Sequence, residues 1–260
     1  MLYNNNIRMN NIIENINRSR YTLKEILRDE WDVSHIPDVS SKEIDVMYRT
    51  PSSKSNNLSS LGVASACNLS IPHKYIPSNR LHIVYYNFPE IGRLNSKITK
   101  SACDKISNLY KTDIINKEDS IFVIINDPIT DSLKKKFNEL NIELQSELSD
   151  LTLSDEIIQE MNDNNYQLQL KHFRNVQLFT INSLTNNLLN HSLVPKHIPI
   201  RKQEDIQNVL DKCNCTLQQL PIISKDDIIC QLLRIMPGDI CEIKRKSTKC
   251  GEYSFFRLCQ

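Results

Sequence analysis

Apolar residues in the first thirty positions recur with a helical period. Ile12, Ile13, Ile16, Leu23, Ile26 and Leu27 fall on one arc, which predicts an amphipathic helix over residues 11–31 with one side turned to a core. Residues 50–79 lose that pattern. The run Thr50-Pro51-Ser52-Ser53-Lys54-Ser55-Asn56-Asn57 reads as the start of a long surface loop or insertion. Leu81 to Tyr86 is a β-branched and aromatic run, so a strand is expected. A helical stripe follows at Ile98, Ala102, Ile106 and Leu109, and Ile121 to Ile125 reads as a strand buried on both faces. Asp131 to Leu140 predicts a helix capped by Thr130 or Asp131. Residues 141–172 turn polar again and read as a second insertion. A short helix is expected within it from Ser154 to Met161, with Ile157 and Ile158 inward. A strand near Val176-Gln177-Leu178-Phe179 closes the series, and alternating strands and helices predict an α/β domain with a mixed sheet.

The last seventy residues change character. Ile206, Val209 and Leu210 give one short helix. Ser224 with Asp227 three positions on reads as a capping box that opens a second helix, with Asp226 and Asp227 in its first turn and Ile229, Leu232 and Leu233 inside. Pro237-Gly238 ends it. Ile240 to Lys246 and Tyr253 to Cys259 then form a hairpin across Ser247 to Gly251. The fold class is therefore mixed, α+β overall. An N-terminal α/β domain spans 1–190, and a small C-terminal α+β module spans 191–260 and ends in a β-hairpin.

A hydrophobic fraction of 40%, a charged fraction of 24% and a net charge of +1 suit a globular chain and are unlike the strongly basic balance of a free-standing DNA binder. No apolar run reaches membrane-spanning length, and the start Met-Leu-Tyr-Asn-Asn-Asn lacks the pattern of a secretory signal, so no membrane role is expected. The eight cysteines lack the paired spacing of a zinc site, and Cys213 and Cys215 are too close for a usual half-site. They are read as reduced, small apolar residues, with no metal and no cofactor.

Among the candidate functional positions, Leu193-Val194-Pro195-Lys196-His197 stands first. Pro195 lacks an amide donor and biases Val194 toward extended backbone, so the segment suits a strand edge that faces a neighbour. Lys196 and His197 are then either partner contacts or ordinary surface residues. Lys244-Arg245-Lys246 sits on a strand whose alternation sends Arg245 to one face and both lysines to the other; a phosphate patch and a solvated edge are both open. Lys134-Lys135-Lys136 is a charge run on a predicted helix, which reads by itself as a solvated face. Glu242-Ile243-Lys244 and Asp38 mimic pieces of a metal-nuclease motif but fall in different predicted domains, and no catalytic residue is expected.

Leu193-Val194-Pro195-Lys196-His197, then Gln219-Leu220-Pro221, Asp227, Gly238, Lys246-Ser247, Gly251, Tyr253 and Arg257, resemble the small fifth-subunit family shared by eukaryotic RNA polymerases I, II and III, together with its archaeal counterpart. The match runs without a gap to Gln260. It departs at Ile222, Ile228 and Arg234, where the family usually has Arg, Pro and Gly, and at Thr248 and Lys249, where it has an acidic residue and Thr. The resemblance implies a non-catalytic subunit of a DNA-directed RNA polymerase. The C-terminal module would dock on the largest subunit through Leu193, Val194, Pro195, Lys196, His197, Pro221, Arg245 and Arg257, with other small subunits as neighbours. The N-terminal half, matched only by element order, would form a jaw beside downstream duplex, with Lys134, Lys135 and Lys136 near the phosphates. A stand-alone nuclease-fold protein is the alternative, and it would need an acidic cluster in the first 190 residues. The abundance of Asn, Ile and Lys and the four glycines fit an AT-rich genome. That fits a large DNA virus, with the protein in the virion and host cytoplasm; a protist nucleus is the other placement.

Overall fold

In the computed structural model, the described residues are 2–50, 63–89, 101–149 and 152–260. Pro51 to Asn57 of the expected loop, and Ile98 of the expected stripe, lie outside them. The chain forms two compact units. One comprises residues 1–160 and 173–186, the other residues 161–172 and 187–260. The second unit thus contains a short segment, Met161–His172, that precedes the last strand of the first.

The first unit is built on a four-stranded sheet. Its strands are β1 (Leu69–Pro72), β2 (Arg80–Tyr86), β3 (Ser120–Ile125) and β4 (Val176–Thr180), in that spatial order. β1 runs antiparallel to β2, while β2, β3 and β4 are parallel. Every residue of β3 is buried, as its unbroken apolar run requires of a strand covered on both faces. One face packs Val84, Ile121, Val123 and Ile125 against Ala102, Ile106 and Leu109 of α3 (Ser101–Lys111) and against Leu133, Phe137, Leu140 and Leu144 of α4 (Asp131–Ser149). The other face carries Tyr85, Phe122 and Phe179, the last two with ring centroids 4.9 Å apart. The first helix, α1 (Leu2–Leu27), reaches this side through Ser19, whose hydroxyl bonds the Tyr85 hydroxyl at 2.9 Å. It buries Ile13, Ile16, Leu23, Ile26 and Leu27 of the predicted arc and leaves Ile12 half-buried, and it ends at Leu27 instead of running on to residue 31. α2 (Ser41–Arg49) opens on a capping box at Ser40 and Glu43.

Several expectations need correction here. The stretch 50–79 is not one loop, because it holds a 3-10 turn at Val63–Cys67 and the edge strand β1. The helix expected to stop at Leu140 continues to Ser149, with Leu144 and Leu148 buried one turn apart. α5 runs Asp155–Asp163, and it buries Ile157 but leaves Ile158 exposed.

The second unit holds a sheet of order β5-β7-β8-β6, with β5 (Lys196–Ile200), β6 (Ile222–Ile223), β7 (Ile240–Ser247) and β8 (Gly251–Cys259). α6 (Gln203–Cys213) covers one face with Ile206 and Val209 against Ile240 and Leu258. Cys230, Ile235, Cys241, Ile243 and Cys259 fill the other. α7 (Ile228–Leu232) does not begin as the sequence suggested. Asp227 is itself the cap, accepting from the Ile229 N–H at 2.8 Å, and Ser224 belongs to the preceding turn. Asp226 and Asp227 therefore precede the helix. All eight cysteines are free thiols, five of them buried.

Candidate functional site

Among the described residues β5 is an edge strand, paired only with β7, from Lys196↔Lys244 to Ile200↔Ile240. A turn leads into it, with the Leu193 N–H donating to His191 Nδ1 at 3.2 Å and the Val194 N–H to the His191 carbonyl at 2.9 Å. This turn holds the Leu193 side chain out, 84% exposed. A leucine left that far in water forgoes about 1.5–3 kcal/mol of burial. Lys196 is exposed, and Pro199 supplies no ladder donor. His197 Nδ1–H donates to the Pro195 carbonyl at 2.7 Å, which leaves Nε2 as an acceptor. Burial lowers the pKa of this imidazole, and Arg245 and Arg257 lower it further, against the Pro195 bond and Asp227.

On the sheet, Arg245 lies opposite Tyr253, Ile243 opposite Phe255 and Cys241 opposite Arg257, so these six side chains share one face. His197, opposite Ile243, shares it too. The guanidinium carbons of Arg245 and Arg257 each lie 5.3 Å from the centroid of the Phe255 ring. Arg257 Nη1 also donates to the Ile222 carbonyl at 3.1 Å. Pro221 is exposed, and its carbonyl accepts the Leu258 N–H at 2.9 Å. The structure thus gathers Leu193, Lys196, His197, Arg245 and Arg257 on or beside one sheet.

Lys134, Lys135 and Lys136 sit in the second turn of α4. Successive helix positions turn by about 100°, so three consecutive lysines fan across the helix and cannot all face one phosphate backbone. Lys136 is tied to Glu139, and that bond and charge raise its pKa. The nuclease-like fragments are occupied as well: Asp38 accepts from Lys24 at 2.6 Å, and Glu242 from the Ser254 hydroxyl at 2.5 Å. Among the described residues no group of three or more His, Cys, Asp or Glu side chains is placed to hold a metal, and no helix is long and apolar enough to cross a membrane.

One polar centre went unseen in the sequence. Asp239, fully buried, accepts from Lys171 Nζ at 2.7 Å, from His172 Nε2 at 2.9 Å and from the Met236 N–H at 2.9 Å. The Gln169 N–H donates to His172 Nδ1 at 3.1 Å. Nδ1 must then be unprotonated and Nε2 must carry the proton given to Asp239. Burial lowers the His172 pKa, overcoming the pull of Asp239, and a proton on Nδ1 would also face the Gln169 donor. Burial raises the Asp239 carboxyl's pKa, but the hydrogen bonds and charges of its partners leave it below the ordinary value. With His172 neutral, the Lys171 ammonium is the charge responsible. Arg234, buried at φ +52°, donates to the His172 carbonyl at 2.6 Å. The only sequence signal for this centre was an arginine where the resembling family has glycine.

Residues 186–259 match the family described as RNA polymerase Rpb5, C-terminal domain. DNA-directed RNA polymerase subunit Rpo5 of Thermococcus kodakarensis is 40% identical over 72 residues, which are 28% of this chain and 87% of that protein. The Rpo5 of Archaeoglobus fulgidus is 42% identical over 71 residues, 27% of this chain and 92% of that protein. The Rpo5 of Methanosarcina mazei is 38% identical over 72 residues, 28% of this chain and 91% of that protein. The chain belongs to the Rpb5/Rpo5 family of RNA polymerase subunits. The matched span contains every candidate from Leu193 to Arg257 and excludes the α4 lysines. Two departures from the family pattern have a physical place in the Rpb5-like module. Ile228 occupies the first helical position of α7, where proline is favoured, and Arg234 occupies a left-handed position, where glycine is favoured.

Proposed function

We propose that this chain is a non-catalytic subunit of a multisubunit DNA-directed RNA polymerase, docked on the largest subunit through its C-terminal unit. The observation that carries the reading is the lead into β5: an exposed Leu193 and an exposed Lys196 at the start of a strand with one open edge, inside the span shared with the Rpo5 proteins. An apolar anchor beside unpaired backbone groups is a ready acceptor for a partner's strand or loop. The first unit then serves as the jaw beside downstream duplex, with small subunits as further neighbours. Lys135, exposed on α4, adds sequence-independent attraction to phosphate in that role. The phosphoryl-transfer chemistry belongs to the large subunits.

The test is capture of the tagged chain from its native source, followed by identification of what comes with it. Stoichiometric recovery of the two largest polymerase subunits is expected, and their sequences assign the enzyme to a viral or a nuclear system. Leu193→Ala with Lys196→Glu is expected to reduce that recovery more than Lys134→Glu with Lys135→Glu. Recovery of the chain alone, at every salt concentration, overturns the proposal.

A further inference from the structure

The face shared by Arg245, Tyr253, Phe255 and Arg257 carries two cations, and an acid whose charge reaches that face is Asp227, the cap of α7, felt at His197 and Cys241. Among the described residues neither arginine forms an ion pair with an acid, and Arg245 makes no side-chain hydrogen bond. Arg257 spends one nitrogen on the Ile222 carbonyl, while its Nε is enclosed and without a partner. α7 and Ile235 cover the far end of this face, against Cys241, Ile243 and Cys259. Toward the hairpin end Arg245 is exposed, and Tyr253 stands 42% exposed. Two guanidinium groups stacked on one ring are already oriented, so binding an anion costs little further side-chain freedom.

The distribution of charge selects the class of anion. Strand alternation puts Lys244 and Lys246 on the opposite face, together with Glu242 and Glu252. The open face therefore offers two planar forks at an aromatic centre, not a run of point charges. A duplex backbone is held by many cations along a track, whereas a carboxylate matches a single guanidinium fork in two parallel bonds. His197 joins this face with its Nε2 as an acceptor, so it adds no third cation there.

We infer that Arg245, Phe255 and Arg257 form a seat for an acidic side chain, Asp or Glu, on an extended segment of a protein partner. The inference rests on the docking reading above and names the partner chemistry for that surface. It is tested on the full chain with a short fluorescent poly-glutamate peptide as probe, a poly-serine peptide as control and a fluorescent DNA duplex as competitor class. The glutamate peptide is expected to bind. Arg245→Gln with Arg257→Gln is expected to weaken it by about tenfold or more, the factor for losing charge-assisted bonds. Arg245→Lys, which keeps charge but loses the fork, is expected to fall between. Should the double variant not fold, Arg245→Gln alone decides, since that side chain holds no internal bond. Unchanged peptide binding in the variants overturns the inference, and so does duplex binding that depends on the same two arginines more strongly than peptide binding does. Failure of the docking reading shows separately, as loss of polymerase capture with the peptide result intact.

Discussion

Replacing Asp239 by asparagine isolates the buried polar centre of the second unit. The substitution keeps the shape but removes the charge, and whichever oxygen becomes the amide nitrogen then faces two donors, Lys171 Nζ and His172 Nε2 at Oδ1 or His172 Nε2 and the Met236 N–H at Oδ2. Removing one partner of a buried ion pair costs about 3–5 kcal/mol. The lower end applies, because the Lys171 side chain is 26% exposed and retains its 3.0 Å bond to the Pro237 carbonyl. A loss of about 3 kcal/mol multiplies the population of the opened second unit by roughly a hundredfold. The single tryptophan, Trp31, lies in the first unit and does not report on this. Buried thiols do. Cys230, Cys241 and Cys259 are sealed in the second unit, and Cys67 is sealed in the first. Pulsed alkylation in mild urea, read by mass spectrometry, should accelerate by about two orders of magnitude at Cys241 and Cys259 and little at Cys67, as local opening requires. Acceleration below about threefold at Cys241, or equal acceleration at Cys67, would refute the assignment of Met161–His172 to the second unit as a stabilising part of it.

Three further outcomes follow from the same geometry. His172 has a folded pKa below its ordinary 6.5, so its contribution to stability is fully present above that value and is lost as pH falls toward the folded pKa. Asp239 is depressed in the same sense, and its contribution is lost only below about 3.8. Thiol protection at Cys241 should therefore start to fall below about pH 6.5, and His172→Gln should remove that first step while leaving the acid one. Arg234→Gly relieves a left-handed arginine by about 1 kcal/mol and loses a charge-assisted bond of about 1.5–3 kcal/mol, so a small net destabilisation is expected by urea unfolding. Leu144→Ala, fully buried in the part of α4 beyond Leu140, should cost the first unit about 2–5 kcal/mol by Trp31 fluorescence. A surface-like loss below about 0.5 kcal/mol would contradict the packed extension of the helix.

What could be read from the chain divides along physical lines. β2 and β3 were legible because long runs rich in β-branched and aromatic residues have no other stable place than a covered sheet, and β4 by its shorter Val-Gln-Leu-Phe-Thr pattern, interrupted at a half-buried Gln177. β1 was not, because Leu69-Ser70-Ile71-Pro72 is short and ends on a proline, which only an edge strand tolerates. The second half of α4 was hidden by its own chemistry. Asn141 bonds both the Val176 carbonyl and the Val176 N–H, at 2.6 and 2.8 Å, and Gln145 donates to the Phe173 carbonyl at 2.6 Å. These amides satisfy backbone groups at the start of β4 and in the segment just before it, so they look solvated in the sequence while facing inward. Of the candidate site, the β5 edge was legible through its proline and the family landmarks. The pairing of Arg245 with Arg257 across Phe255 needed the hairpin register, which residue spacing alone does not supply.

Arg234 has a consequence for how this module tolerates change. Its left-handed backbone favours glycine, yet its side chain is buried and donates to the His172 carbonyl, so part of what offsets the backbone cost comes from Met161–His172. Deleting that segment with Arg234 in place removes the His172 acceptor of a buried guanidinium, whereas with glycine there no such bond is lost. The two changes are epistatic. For a sequence losing this segment, the order in which position 234 becomes glycine first and the segment goes second never leaves the Arg234 guanidinium without its His172 acceptor.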